Sequence, residues 1–246
     1  MKTFEKILSY PLSVIYYIVF FITLLFFHGI QWLCLKLGGY QAHKRSVDVL
    51  NFCLLRCLNL LGGRTSFENP HDIPTDRPVI FVANHQGMYD IPPIIWHLRK
   101  HHPKFVSKKE LGKGIPSISF NLRHGGSILI DRKNARQSLV TMSQFAKYLN
   151  QTNRAGVIFP EGTRSRTGKP KRFAVQGLQL LFKKMPEALV VPISINNSWK
   201  IFRYGSFPLG LGVHIKCQVH EPIAVKEHDP ESLMAIVERT ITAHIS

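Results

Sequence analysis

The run Asn84-His85-Gln86-Gly87-Met88-Tyr89-Asp90 places an imidazole and a carboxylate five positions apart, directly after the apolar stretch Val79–Ala83. On a regular helix, residues five apart point about 140° away from each other, so His85 and Asp90 meet only if the chain turns between them. Gly87 permits that turn. Two roles then fit Asp90. It stands before Ile91-Pro92-Pro93, where an aspartate can cap a helix whose first turn tolerates proline, and His85 is then a plain turn residue. Alternatively, the carboxylate holds one imidazole nitrogen, fixing the tautomer and raising basicity, so that the other nitrogen takes a proton from a substrate hydroxyl. With no Ser or Cys nucleophile in the pair, the substrate's own hydroxyl is the attacking group.

A second cluster, Phe159-Pro160-Glu161-Gly162-Thr163-Arg164-Ser165, also leaves an apolar run. Its basic tail, Arg164, Arg166, Lys169, Lys171 and Arg172, fits either a solvated loop or phosphate recognition. A nucleotide P-loop is excluded, because Gly162 and Gly168 enclose five residues and Pro170 stands where Ser or Thr would bind magnesium. The segment 107–132 sets Lys108 and Lys109 before an Ile-Pro turn and ends in Asp131 and Arg132. Val191-Pro192-Ile193-Ser194-Ile195 is a further apolar run, and its early proline favours a strand start or a sheet edge.

The elements that must position these residues follow from patterning. Short apolar runs at 79–83, 104–107, 127–130, 155–159, 189–195 and 213–219 alternate with helical spacing at 92–101, 135–150, 176–183 and 230–245. This is α/β patterning, and it predicts a mixed, mostly parallel sheet flanked by helices over residues 64–246. An Asp229-Pro230 step opens the last helix as a capping pair. Ahead of this domain, residues 1–63 hold two apolar segments, 12–37 and 47–63. The first would run about 39 Å as a helix, against a hydrocarbon core of about 30 Å. Two such helices in succession predict a membrane-associated hairpin that dips into one leaflet, with Tyr10, Tyr16, Tyr17, Trp32 and Tyr40 near the headgroups. A cleavable signal peptide fits worse, since no small-x-small site follows the first run.

Composition narrows the partners. The 246 residues carry 32 Lys and Arg against 15 Asp and Glu, a net charge of +17 that attracts polyanions. The aromatic residues concentrate in the apolar N-terminus instead of alternating with Lys and Arg, which argues against nucleic acid and for anionic lipid. Four cysteines without a CxxC pair read as reduced thiols facing a cytosol, with no metal site.

Taken in order, the NHxxxxD stretch, the KxEL…P…GxIxIDR stretch, FPEGTRS and VPxxI resemble the glycerolipid acyltransferase family, whose best-known members are the 1-acyl-sn-glycerol-3-phosphate acyltransferases. Two positions depart from the family pattern: Ser119 stands where glycine is usual, and Phe173-Ala174-Val175-Gln176-Gly177 replaces a basic Phe-Lys-x-Gly. The resemblance implies that His85 is the general base on the sn-2 hydroxyl of a lysophosphatidic acid and that Asp90 orients it. It implies phosphate binding by Lys108, Arg132 and the Glu161-Gly162-Thr163-Arg164 turn, with Glu161 holding Arg164 or an acceptor hydroxyl. The co-substrate would be acyl-CoA or acyl-carrier protein, with no metal or redox cofactor, at the cytoplasmic face of an inner membrane. Another lysolipid or glycerol 3-phosphate as acceptor is the alternative, as is a catalytically silent lipid-binding protein.

Overall fold

Five successive apolar residues make strand β2 (Val79–Ala83), and all five are buried. A strand without polar alternation needs cover on both faces. Its side chains divide accordingly: Val79, Phe81 and Ala83 join one hydrophobic cluster, Ile80 and Val82 another. The computed structural model, which describes residues 2–246, places β2 inside an eight-stranded sheet. The other strands are β1 (Arg64–Glu68), β3 (Lys104–Lys108), β4 (Ile128–Ile130), β5 (Ala155–Ile158), β6 (Leu189–Asn196), β7 (His214–Val219) and β8 (Ile223–Ala224). Their order is β1-β7-β6-β2-β5-β3-β4, with β8 beside β6. Strands β6, β2, β5, β3 and β4 run parallel, while β7 and β8 run antiparallel to β6. The sheet is therefore mixed and mostly parallel, as the patterning predicts.

Helices α4 (Ala135–Thr152), α5 (Val175–Lys184) and α6 (Pro230–Ala243) cover one face through Phe145, Leu149, Leu181, Phe182, Leu233 and Val237. Helix α6 starts as expected: Asp229 accepts the amides of Glu231 and Ser232, with Pro230 in the first turn. Helix α2 (Ile91–His97) and part of α1 (Lys2–Asn59) cover the other face. Three elements escape the sequence patterns, β1, the two-residue β8 and the short helix α3 (Ile118–His124), each too short or too polar to show a repeated apolar pattern.

Helix α1 breaks at Gly39, whose φ of 60° and ψ of −155° are essentially restricted to glycine. The two arms, residues 2–38 and 40–59, fold back on each other: Leu24 and Phe27 pack with Leu50 and Leu54. The hairpin also docks on the sheet. Buried positions Ser9, Ser13, Tyr16, Leu24, Phe27 and Gln31 form one stripe along the first arm. Val47, Leu55 and Leu58 of the second arm enter the main core. Tyr16 therefore corrects the expected headgroup position: it is 1% exposed and hydrogen-bonds Tyr89 at 3.0 Å, because it lies on the domain-facing stripe. Outside that stripe Val14, Ile15, Ile18, Ile22 and Phe26 are exposed. The helix is long and apolar enough to cross a membrane, and only 17% of its most apolar window is buried.

Pro192 is a second correction, since it lies within an interior strand, opposite Val82 of β2. Its carbonyl accepts the amide of His220, and its nitrogen, on the same side of the strand, faces the corner between the β7 and β8 pairings. No ladder bond is required there. That gap in pairing is why an interior strand tolerates proline.

Candidate active site

Because β6, β2, β5, β3 and β4 are parallel, the loops that follow them leave from the same edge of the sheet, the position where open α/β sheets bind ligands. The β2 loop begins with Asn84, which clamps neighbouring strands. Its side-chain amide donates to the Ile195 carbonyl (2.8 Å) and its oxygen accepts the Ile195 amide (2.7 Å). His85 follows, its ring stacked on Phe159 at 4.2 Å.

The chain then turns at Gly87, and Asp90 comes back beneath the imidazole. Asp90 Oδ2 lies 2.7 Å from His85 Nδ1 and also accepts the backbone amides of Gln86 (2.6 Å) and Gly87 (2.8 Å). Its Oδ1 accepts the hydroxyl of Ser198, from the loop after β6. The carboxylate is completely buried, and these donors replace the water it has lost. It makes no side-chain cap on α2, so the capping role is not the one the fold uses. With Nδ1–H committed to Asp90, Nε2 is the basic nitrogen of His85, on a side chain that keeps 14% of its exposure.

The β5 loop is tied to the same turn. Glu161 Oε1 accepts the His85 amide (2.9 Å) and Oε2 accepts the Lys171 amide (3.1 Å). The Ser165 amide donates to the His85 carbonyl, and Gln86 Nε2 to the Gly168 carbonyl. Both Glu161 carboxylate oxygens thus bond to backbone amides, and neither bonds to Arg164. Burial pushes its carboxyl above the usual range, partly opposed by the two amides. Glu161→Gln keeps the shape but turns one acceptor into a donor facing an N–H, so one amide loses its partner. The variant should be destabilised by about 1–3 kcal/mol, read as a lower melting temperature in detergent.

The basic residues occupy the rim. Arg132, just beyond β4, donates to the Gly162 carbonyl, and Gly162 itself has a φ of 70°. Lys171 Nζ donates to Thr163 Oγ1 and to the Arg164 carbonyl, both at 2.9 Å. Lys108 is exposed at the end of β3. Thr163 and Arg164 are exposed as well. All eight residues singled out in the sequence lie on loops or strand ends at this one edge. Sequence reasoning missed Asn84 and Ser198. Asn84 sits inside the quoted motif, but Ser198 is 108 positions from Asp90 and carries no local signal.

A cavity of about 420 Å³ opens between the hairpin and the sheet. Phe20, Leu50, Leu54, Met88, Ile91 and Phe105 give it a mainly apolar lining, and Arg164 is its one charged wall residue. Such a space suits a hydrocarbon chain whose polar end stays at the rim. Among the described residues, no group of three or more His, Cys, Asp or Glu side chains is placed to hold a metal.

Residues 64–196, over half of the chain, match the family model described as Acyltransferase. The chain is 37% identical over 181 residues to the 1-acyl-sn-glycerol-3-phosphate acyltransferase of Haemophilus influenzae, covering 72% of this chain and 71% of that one. It is 36% identical over 126 residues to the Helicobacter pylori protein of the same name, and there it spans only half of the relative's length. The crystal structure of the 1-acyl-sn-glycerophosphate acyltransferase from Thermotoga maritima superposes with a TM-score of 0.77 at 24% identity, over 99% of this chain and 95% of that one. The fold is thus shared along nearly the whole chain, hairpin included. On the family match and on the identity and coverage of the Haemophilus relative, the chain belongs to the acyltransferase family.

Proposed function

We propose that the protein moves a fatty acyl group from an acyl thioester to the sn-2 hydroxyl of 1-acyl-sn-glycerol 3-phosphate, giving phosphatidic acid. The observation that carries this is the His85–Asp90 contact of 2.7 Å, which leaves Nε2 as the basic nitrogen on the turn whose Met88 and Tyr89 line the apolar cavity that Arg164 also borders. The acceptor hydroxyl gives its proton to Nε2 as its oxygen attacks the thioester carbonyl. The tetrahedral intermediate collapses, and the thiolate leaves with the proton returned by the imidazolium. A positioned base commonly contributes about 10²- to 10⁴-fold, and orientation of the hydroxyl supplies much of the rest.

Arg164, Arg132 and Lys108 are assigned to the acceptor phosphate, with the Gly162-Thr163 turn beside them. Arg164 is the central contact, because a planar guanidinium can hold two phosphate oxygens while its stem lines the cavity. Glu161 shapes the turn without touching phosphate. The acyl donor is acyl-CoA or acyl-carrier protein. The exposed apolar side of the hairpin enters the cytoplasmic leaflet of the inner membrane, and rim cations near anionic headgroups add about 1 kcal/mol each.

Purified protein assayed with lysophosphatidic acid, glycerol 3-phosphate and lysophosphatidylcholine, each with both donors, tests the assignment. Product from lysophosphatidic acid alone is expected, and preference for either other acceptor would overturn it. Arg164→Ala should raise the acceptor KM at least about tenfold with a smaller effect on kcat, and Lys should rescue only in part. Full rescue by Lys would argue against a two-oxygen contact.

A further inference from the structure

Asp90 is held by more than the residues of its own turn. Of its four donors, three come from residues 85–87, within five positions of it. The fourth is the hydroxyl of Ser198, which arrives from the far side of β2 on the loop that ends β6. That loop is itself fixed. Asn197 takes a left-handed φ of 72°, and its side-chain amide donates to the His214 carbonyl of β7 at 3.0 Å. Ser198 has no solvent exposure, and its Oγ and carbonyl lie so close to Gly87 that a Cβ there would meet both at 3.1 Å. The β6 loop therefore packs on the glycine of the catalytic turn and bonds the carboxylate that the turn encloses.

This arrangement makes a division of labour between the two carboxylate oxygens. Oδ2 faces the imidazole and the two amides, and Oδ1 faces Ser198 alone. Rotation of the carboxyl group about its bond to Cβ would break the Ser198 bond and the His85 bond together. A hydroxyl on Oδ1 also draws negative charge away from Oδ2, which weakens Oδ2 as the partner of an imidazolium.

We propose that Ser198 is a positioning residue of the reaction, acting through Asp90 to fix the carboxylate's rotation and to moderate the basicity that Asp90 confers on His85. The inference rests on the general-base role proposed above for His85. It adds a fifth chain segment, the β6 loop, to the machinery, and it makes a serine outside the four motif blocks a determinant of the pH at which the enzyme works.

The test compares Ser198→Ala with Ser194→Ala. Ser194 is an equally buried serine of β6 whose hydroxyl bonds His220 and the Ile241 carbonyl on the other face of the sheet, away from Asp90. In Ser198→Ala the ionised Oδ1 has no hydroxyl partner, so Asp90 stabilises imidazolium more strongly. A base works only when unprotonated, so the acid limb of the kcat/KM profile should move to higher pH, by about 0.5 to 1 on the pH scale. On the plateau above that limb, kcat should fall about three- to tenfold with an unchanged acceptor KM, from the looser carboxylate. The downfield Nδ1–H proton resonance of His85 should move further downfield. Ser194→Ala should lower the melting temperature and leave the limb, the plateau and the resonance where they are. An unmoved limb and resonance in Ser198→Ala, or the same movement in both variants, would overturn the inference. Failure of the underlying reading looks different: His85→Ala would then retain turnover whatever Ser198→Ala does.

Discussion

His85→Ala is expected to lower turnover by at least about a hundredfold, the usual contribution of a positioned general base, while the protein still folds and binds membranes. The reason for expecting so clean a loss lies in how the residue is held. The His85 backbone is fixed by Glu161 on its amide and Ser165 on its carbonyl, and neither bond uses the imidazole. Removing the ring leaves both in place, and Asp90 retains two amides and the Ser198 hydroxyl. The lost ring contact is a stack on Phe159, worth about 0.5–1.5 kcal/mol beyond its buried area. Stability should fall modestly and the reaction almost entirely. Asp90→Asn gives the complementary result. An amide nitrogen would face N–H donors, the wrong imidazole tautomer would be favoured, and melting temperature would fall along with turnover. Near-normal turnover in His85→Ala, with the acyl donor and acceptor both saturating, would end the general-base mechanism.

Two substitutions two residues apart in the first arm of α1 should fail in opposite ways. Leu24 is 3% exposed and packs with Phe27, Leu50 and Leu54, whereas Ile22 is 58% exposed on the outer side of the same helix. Leu24→Lys buries an unpaired ammonium at a cost of several kcal/mol, comparable with the whole stability of a domain, so the variant should be unfolded or aggregated in detergent. Ile22→Lys removes no core contact and should melt as the parent does in detergent. In vesicles it sets a cation against lipid, at about 2.5–3.5 kcal/mol for a position deep in the hydrocarbon, so membrane retention on flotation should drop by tenfold or more. Equal stability of both variants would show that the two arms of the hairpin do not pack on each other through Leu24. Unchanged flotation of Ile22→Lys would show that the outer side does not enter lipid.

Much of the site was legible in one dimension because its chemistry is local. The spacing from His85 to Asp90, with Gly87 between them, already required a turn, and the apolar run before it already required a doubly covered strand. Periodicity likewise announced β5, β6, α4 and α6, and the Gly38-Gly39 pair lay between the two apolar segments where α1 breaks. Those features depend on backbone freedom and on alternation over a few residues, which sequence records directly. Tertiary structure alone decided the rest. Whether Asp90 caps a helix or holds an imidazole depended on which donors surrounded it, and one of those came from Ser198. Glu161 was free to bind any cation until the fold carried two backbone amides to its oxygens, and burial made them its partners. Tyr16 is as suited to a headgroup as to a core, and only the docking of the first arm chose the core. Pro192 sits inside the sheet because β7 and β8 leave a gap at that one position. In each case the residue type allows two environments of similar free energy, and the choice is made by groups distant in sequence that the packed sheet brings into contact.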